Sequence, residues 1–149
     1  ELLIVIAIIG IIAVIASFAW QNYVRNTNLR TAARELVSDF ALMKAKAASA
    51  SQTGQETTYA IVFNVAGNSY TMEASSVDGT TTSQTKLLSS FGPGVALESI
   101  SLGGGGNTIT FEARGTLKPI GNLVLKNGPS EATITFNITG KTHVRFKMF

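Results

Sequence analysis

ELLIVIAIIGIIAVIASFAW, residues 1–20, places one charged side chain directly before a run in which Leu2 through Ala16 are all Leu, Ile, Val, Ala or Gly. Residues 2–24 carry no charge at all. A helix rises about 1.5 Å per residue, so such a run is long enough to cross a hydrocarbon layer about 30 Å thick. It suits a surface helix of a soluble domain poorly, because such helices are apolar along one stripe and polar elsewhere. The carboxylate of Glu1 beside it is costly in an apolar surround unless something pairs with it.

Three readings fit this opening. A secretory signal peptide has a basic segment before its apolar core, and Glu1 stands there instead, although Ser17-Phe18-Ala19 has the small-x-small form of a cleavage site. A plain membrane anchor satisfies the length argument. The third reading depends on the residues downstream of the run. The 149 residues suit one domain, there are no cysteines to form disulfides or thiolate metal sites, and the net charge of +3 permits an anionic partner without requiring one.

Past Val24 the helical pattern continues with no Pro or Gly until Gly54. Leu29, Ala33, Leu36, Phe40, Met43 and Ala47 recur at steps of four and three, which puts them on one face of a helix. Arg25, Arg30, Arg34, Glu35, Asp39, Lys44 and Lys46 fall mostly on the other faces, and the Ser, Thr and Gly of ASASQTG end the helix. The expectation is one helix of about fifty residues, roughly 75 Å long. Its first part (1–24) is apolar all round and its second (25–53) is amphipathic. The amphipathic part can dock on its own chain, whereas the apolar part needs lipid or copies of itself.

From residue 58 the period changes to two. Tyr59, Ile61, Phe63 and Val65 alternate, as do Ile134, Phe136 and Ile138, and AGN supplies a turn before SYTMEAS. Further strands are expected at 86–91, 95–102, 108–113, 122–126, 132–138 and 142–148. The fold class is α+β: a long N-terminal helix packed on a C-terminal antiparallel β-sheet domain spanning 54–149.

With these residues in view, the chain resembles type IV pilins and type II secretion pseudopilins. ELLIVIAIIGIIAVIA is similar to their N-terminal segment, whose mature form usually begins Phe-Thr-Leu-Ile-Glu. Glu1 falls on the family glutamate and Gly10 on its helix glycine, while Phe18 stands where many relatives carry a proline. YAIVFN, ITFEARGTLKPIGNLVLKN and ATITFNITGKTHVRF resemble the β-domain of GspH/FimT-like pseudopilins, with Phe111–Gly115 and Gly140–Lys141 at the places of that family's F-x-x-x-G segment and Gly-basic turn.

The resemblance implies a structural filament subunit, not an enzyme. Glu1 would set the assembly register by pairing with the N-terminal amine of a neighbouring subunit. Leu2, Leu3, Ile4, Val5, Ile6, Ile8, Ile9, Gly10, Ile11, Ile12, Val14 and Ile15 would form the filament core. The partners implied are the chain itself, other pilin-like subunits, an assembly platform, an ATPase and a prepilin peptidase, with methylation of the processed N-terminus. The subunit would wait in the bacterial inner membrane and then join a periplasmic or extracellular filament. Arg25, Arg30 and Arg34 alone would argue for a cytoplasmic C-terminal side; the resemblance implies the reverse. Within the family the role is open between a main subunit, a minor tip or initiating pseudopilin, and a DNA-binding uptake pilin.

For that last role, Lys141, His143, Arg145 and Lys147 alternate with Thr142, Val144, Phe146 and Met148, so period two puts four basic groups on one strand face. Such a face can meet phosphates, or be an ordinary solvated surface; no aromatic is interleaved on it for base stacking. Gly103–Gly106 lacks the following helix and Lys of a phosphate loop, and TFNITGKT has Thr135 in place of the first P-loop glycine. His143 is the only histidine, and the carboxylates have no metal-ligand spacing. No cofactor is expected. Trp20 and Tyr23 fall where the apolar run ends, as interfacial or filament-packing residues.

Overall fold

Leu2–Gln52 forms one 51-residue helix, α1, in a computed structural model that describes residues 2–52, 54, 57–112 and 114–149. Glu1 lies outside the described residues. The expected stripe Leu29, Ala33, Leu36, Phe40, Met43 and Ala47 is buried, and Ala32, Asp39 and Ala50 are buried with it. The small side chains at 32, 33, 47 and 50 let the helix approach the strands beneath it closely.

Among the described residues nine strands come after the helix, arranged in two antiparallel sheets where the sequence suggested one. The strands β1 (Thr57–Asn64), β2 (Ser69–Ser76), β3 (Thr81–Leu87), β5 (Thr108–Phe111) and β6 (Leu117–Lys118) build a five-stranded sheet in the order β3-β2-β1-β5-β6. The strands β4 (Val95–Leu102), β7 (Gly121–Asn127), β8 (Ser130–Phe136) and β9 (Thr142–Lys147) build a four-stranded sheet in the order β4-β7-β8-β9. The C-terminal half of α1 packs against β1 and β5 of the first sheet and β4, β7 and β8 of the second.

Phe40 joins the two sheets. Its ring stacks on Phe136 of β8 at 4.3 Å between centroids, and lies 5.6 Å from Phe111 of β5 and 6.2 Å from Phe63 of β1. Around this aromatic centre Leu29, Leu36, Ile61, Ile109, Leu117, Leu123, Leu125 and Ile134 are fully enclosed. Alternation on β8 is clean, with Ala132, Ile134 and Phe136 buried.

Two strand expectations are corrected. The stretch 86–91 is not a strand: β3 ends at Leu87 and Leu88–Phe91 is a 3-10 turn. Leu88 is buried there, its N–H donating to Asn68 O at 3.0 Å, and the turn closes on Gly92 with φ 141°, ahead of Pro93. β3 itself is mostly Thr, Ser and Gln and almost wholly exposed, so no apolar alternation marks it. Finally, β8 stops at Phe136, and Ile138 is exposed in the following turn instead of continuing the buried row.

Candidate functional site

The first half of α1 is the largest unsatisfied feature of the molecule. The eleven large aliphatic side chains from Leu2 to Ile15 are each 51–82% exposed. Fully burying one such side chain is worth about 1.5–3 kcal/mol, so their burial together is worth on the order of tens of kcal/mol. No part of the described chain folds back on them. The helix is long and apolar enough to span a membrane by length and composition. Gly10 sits within it with nothing of its own chain within 4 Å of where a Cβ would be.

At the far end of the amphipathic half, Gly115 and Gly140 come together on Lys44. Gly115 and Gly140 both have left-handed φ, +74° and +71°, and a Cβ on Gly140 would lie 2.8 Å from the Gly115 carbonyl oxygen. The Lys44 Nζ donates to Thr139 O at 3.0 Å, and its alkyl stem runs past both glycines. The turn between β8 and β9 is closed by Asn137, whose Oδ1 accepts from the Thr139 and Lys141 N–H groups. The sequence pattern marked the two glycines but gave no sign that they meet.

The basic row is divided by this turn. Lys141 lies in the turn, and His143, Arg145 and Lys147 lie on β9, an edge strand; all four are exposed. Across the β8–β9 register they face Thr135, Thr133 and Glu131 in turn, so one carboxylate adjoins the Lys147 end. The opposite face of β9 turns inward: Val144 and Met148 pack on the core, and the Arg30 guanidinium sits 6.0 Å from the centre of the Phe146 ring. Among the described residues no group of three or more His, Asp or Glu side chains is placed to hold a metal ion.

One polar site escapes a reading of the sequence. Asp39 is buried on the apolar face of α1, where it accepts from the Tyr70 hydroxyl of β2 at 2.6 Å. Lys86 of β3 pairs with Asp39 at 2.8 Å and with Glu35 at 2.9 Å. Burial and the neighbouring Asp39 push the Tyr70 hydroxyl well above the ordinary phenol range. Burial opposes the charge on Lys86, but its hydrogen bonds to Asp39 and Glu35 outweigh that and leave its pKa raised. The signal was present: position 39 lies between Leu36, Phe40 and Met43 on the stripe. This site pins the polar edge of the first sheet to the helix, since an isolated buried carboxylate would be strongly unfavourable.

The long helix and the two antiparallel sheets together make a pilin-like fold. The fold is similar to that of the minor pseudopilin EpsH from the type 2 secretion system of Vibrio cholerae, with a TM-score of 0.62 and 14% sequence identity over 79% of this chain and 96% of that one. No family model and no curated protein matches the sequence. The chain therefore has the pseudopilin fold: one long helix with an apolar N-terminal half, and antiparallel β-sheets against its C-terminal half.

Proposed function

We propose that this chain is a structural subunit of a type II secretion pseudopilus or type IV pilus-like filament, held in the bacterial inner membrane through residues 2–24 before it polymerises. The observation that carries the reading is the exposed aliphatic surface of Leu2–Ile15 on a chain with the pseudopilin fold. Both lipid and a bundle of identical helices can cover that surface, so one segment serves first as anchor and then as filament core. In this reading residues 25–53 and 54–149 form the periplasmic or outer part. Glu1 sets the register, because a carboxylate in apolar surroundings is tolerated only where an amine of the neighbouring subunit meets it. Other pilin-like subunits, an assembly platform, an ATPase and a prepilin peptidase are the partners this role needs. The likeness to a minor pseudopilin supports a tip or initiating position over the main repeat.

The sequence has no cysteine, so single-cysteine variants across Leu2–Ile15 can be joined by a short bismaleimide without background. Cross-linked pairs that form only when the assembly machinery and other pilin-like subunits are present support the reading. Monomers under both conditions would sink it.

A second reading has one observation behind it: His143, Arg145 and Lys147 share an exposed edge strand, and neither His143 nor Arg145 faces a carboxylate across the register. Under it the face binds the phosphates of DNA. Binding that weakens steeply with salt and is reduced by Lys141→Gln, Arg145→Gln and Lys147→Gln supports it; binding that is indifferent to those changes removes it.

A further inference from the structure

A groove of about 650 Å³ opens where α1 leaves its apolar half, between the helix and two connections at the end of the four-stranded sheet, the loop before β4 and the β7–β8 turn. Trp20, Arg25 and Asn28 form one wall, and Pro93, Asn127 and Gly128 the other. The walls are tied together. Asn127 is buried, and its Nδ2 donates to the carbonyl oxygens of Arg25 and Pro93, both at 3.2 Å. A Cβ on Gly92 would sit 2.2 Å from the Asn28 side chain, so the loop approaches the helix as closely as glycine allows. The Arg25 guanidinium reaches into the groove beside Gly128, with Nη1 3.7 Å from where a Cβ there would lie. No carboxylate lines the groove, and Arg25 has no ion-pair partner among the described residues.

The height of this groove along the helix is set by geometry. From Leu2 to Val24 the helix rises roughly 33 Å, against a hydrocarbon layer of about 30 Å. Arg25, the first charge after the apolar run, then falls in the headgroup layer, and the indole of Trp20 lies one turn below, at the depth where such rings are favoured. The groove is thus a cationic, partly apolar notch at the level of lipid phosphates.

We infer that, while the subunit is anchored, this groove holds the phosphate headgroup of an anionic phospholipid, with Arg25 pairing the phosphate, the Asn28 amide placed to bond its ester oxygens and Trp20 packing on the upper acyl chain. The inference rests on the membrane-anchored reading above. It gives the anchored subunit a lipid ligand that must leave when the helix is drawn into a filament.

Trp20 is the only tryptophan, so its emission reports the groove. The full chain is placed in lipid nanodiscs of phosphatidylcholine with a minor fraction of phosphatidylglycerol, and bromine is carried on the acyl chains of one lipid or the other at equal content. The expected result is stronger Trp20 quenching by brominated phosphatidylglycerol, corresponding to about fivefold local enrichment, the equivalent of about 1 kcal/mol for one basic residue at the surface. Arg25→Gln abolishes the preference. Lys46→Gln removes the same charge and leaves it intact: Lys46 is exposed on α1, twenty-one residues beyond Arg25 and roughly 31 Å further along the helix, far outside screening range. Equal quenching by the two lipids, or a preference that survives Arg25→Gln, overturns the inference and leaves the anchor reading standing. Equal quenching by the two lipids together with a change in Trp20 emission on adding inorganic phosphate, absent in Arg25→Gln, assigns the groove to free phosphate and overturns the lipid assignment. Absence of quenching by either brominated lipid overturns the anchor reading and the inference with it.

Discussion

Removing the Asp39 carboxylate tests how the helix is fixed to the edge of the first sheet. In Asp39→Ala the Tyr70 hydroxyl, fully enclosed, loses its acceptor, which costs about 1–3 kcal/mol. Lys86 keeps Glu35 at 2.9 Å, and its side chain is 23% exposed, so the lost ion pair adds only on the order of 1 kcal/mol after solvent screening. The total expected is about 2–4 kcal/mol. Tyr70→Phe keeps the ring packed and leaves Asp39 paired with Lys86, so it costs about 1.5 kcal/mol, the low end for a hydrogen bond to a charged group. In the double variant no hydroxyl is stranded, and the combined loss should fall short of the sum by about 1–2 kcal/mol. Urea unfolding of the full chain in mild detergent, followed by the near-ultraviolet circular dichroism of its aromatic core, measures all four corners of the cycle. Additivity within about 0.5 kcal/mol would refute the coupling, as would an Asp39→Ala variant of parental stability.

Three further outcomes rest on the same packing. Phe40→Ala should cost about 3–5 kcal/mol, because it empties the contact between both sheets, and the same unfolding assay reads it; a loss under about 1 kcal/mol would mean the sheets are not joined there. Gly140→Ala should cost about 2 kcal/mol or more, combining left-handed strain with a Cβ 2.8 Å from the Gly115 carbonyl, and its melting temperature should drop accordingly. Raising the pH should destabilise the domain. Tyr70 and Lys86 both have folded pKa values above their ordinary 10.0 and 10.5, so their contribution is complete below those values and is lost as the pH climbs toward the raised ones. Tyr70→Phe should make that alkaline decline shallower, and an unchanged decline would show that the phenol does not take part.

Much of the architecture is written in local patterns. The step of four and three from Leu29 to Ala47 identifies the docked face of α1, and alternation on Ile134 and Phe136 identifies β8. What local pattern cannot show depends on partners distant in the chain. β3 is a strand because it pairs with β2, Thr85 opposite Thr71 and Lys86 opposite Tyr70, while its own composition reads as loop. The position of Asp39 beside Leu36, Phe40 and Met43 is visible in the pattern, but its partners are not: Tyr70 and Lys86, which make it tolerable in the core, lie on strands that reach it only after folding. Gly115 and Gly140 stand out as motif positions, but only the folded chain shows that each leaves space for the other and for Lys44. The apolar half of α1 is the most legible feature, and among the described residues it has no partner in its own chain, which is the physical ground for the proposed assignment to assembly.

The most direct test of that assignment is electron microscopy of sheared surface fibres from cells that carry the assembly machinery, with the parent chain beside Glu1→Ala. Fibres should contain the parent chain, either on its own or once another pilin-like subunit is supplied, and Glu1→Ala should show a marked loss of incorporation. Absence of the parent chain from fibres under both conditions would contradict the assignment.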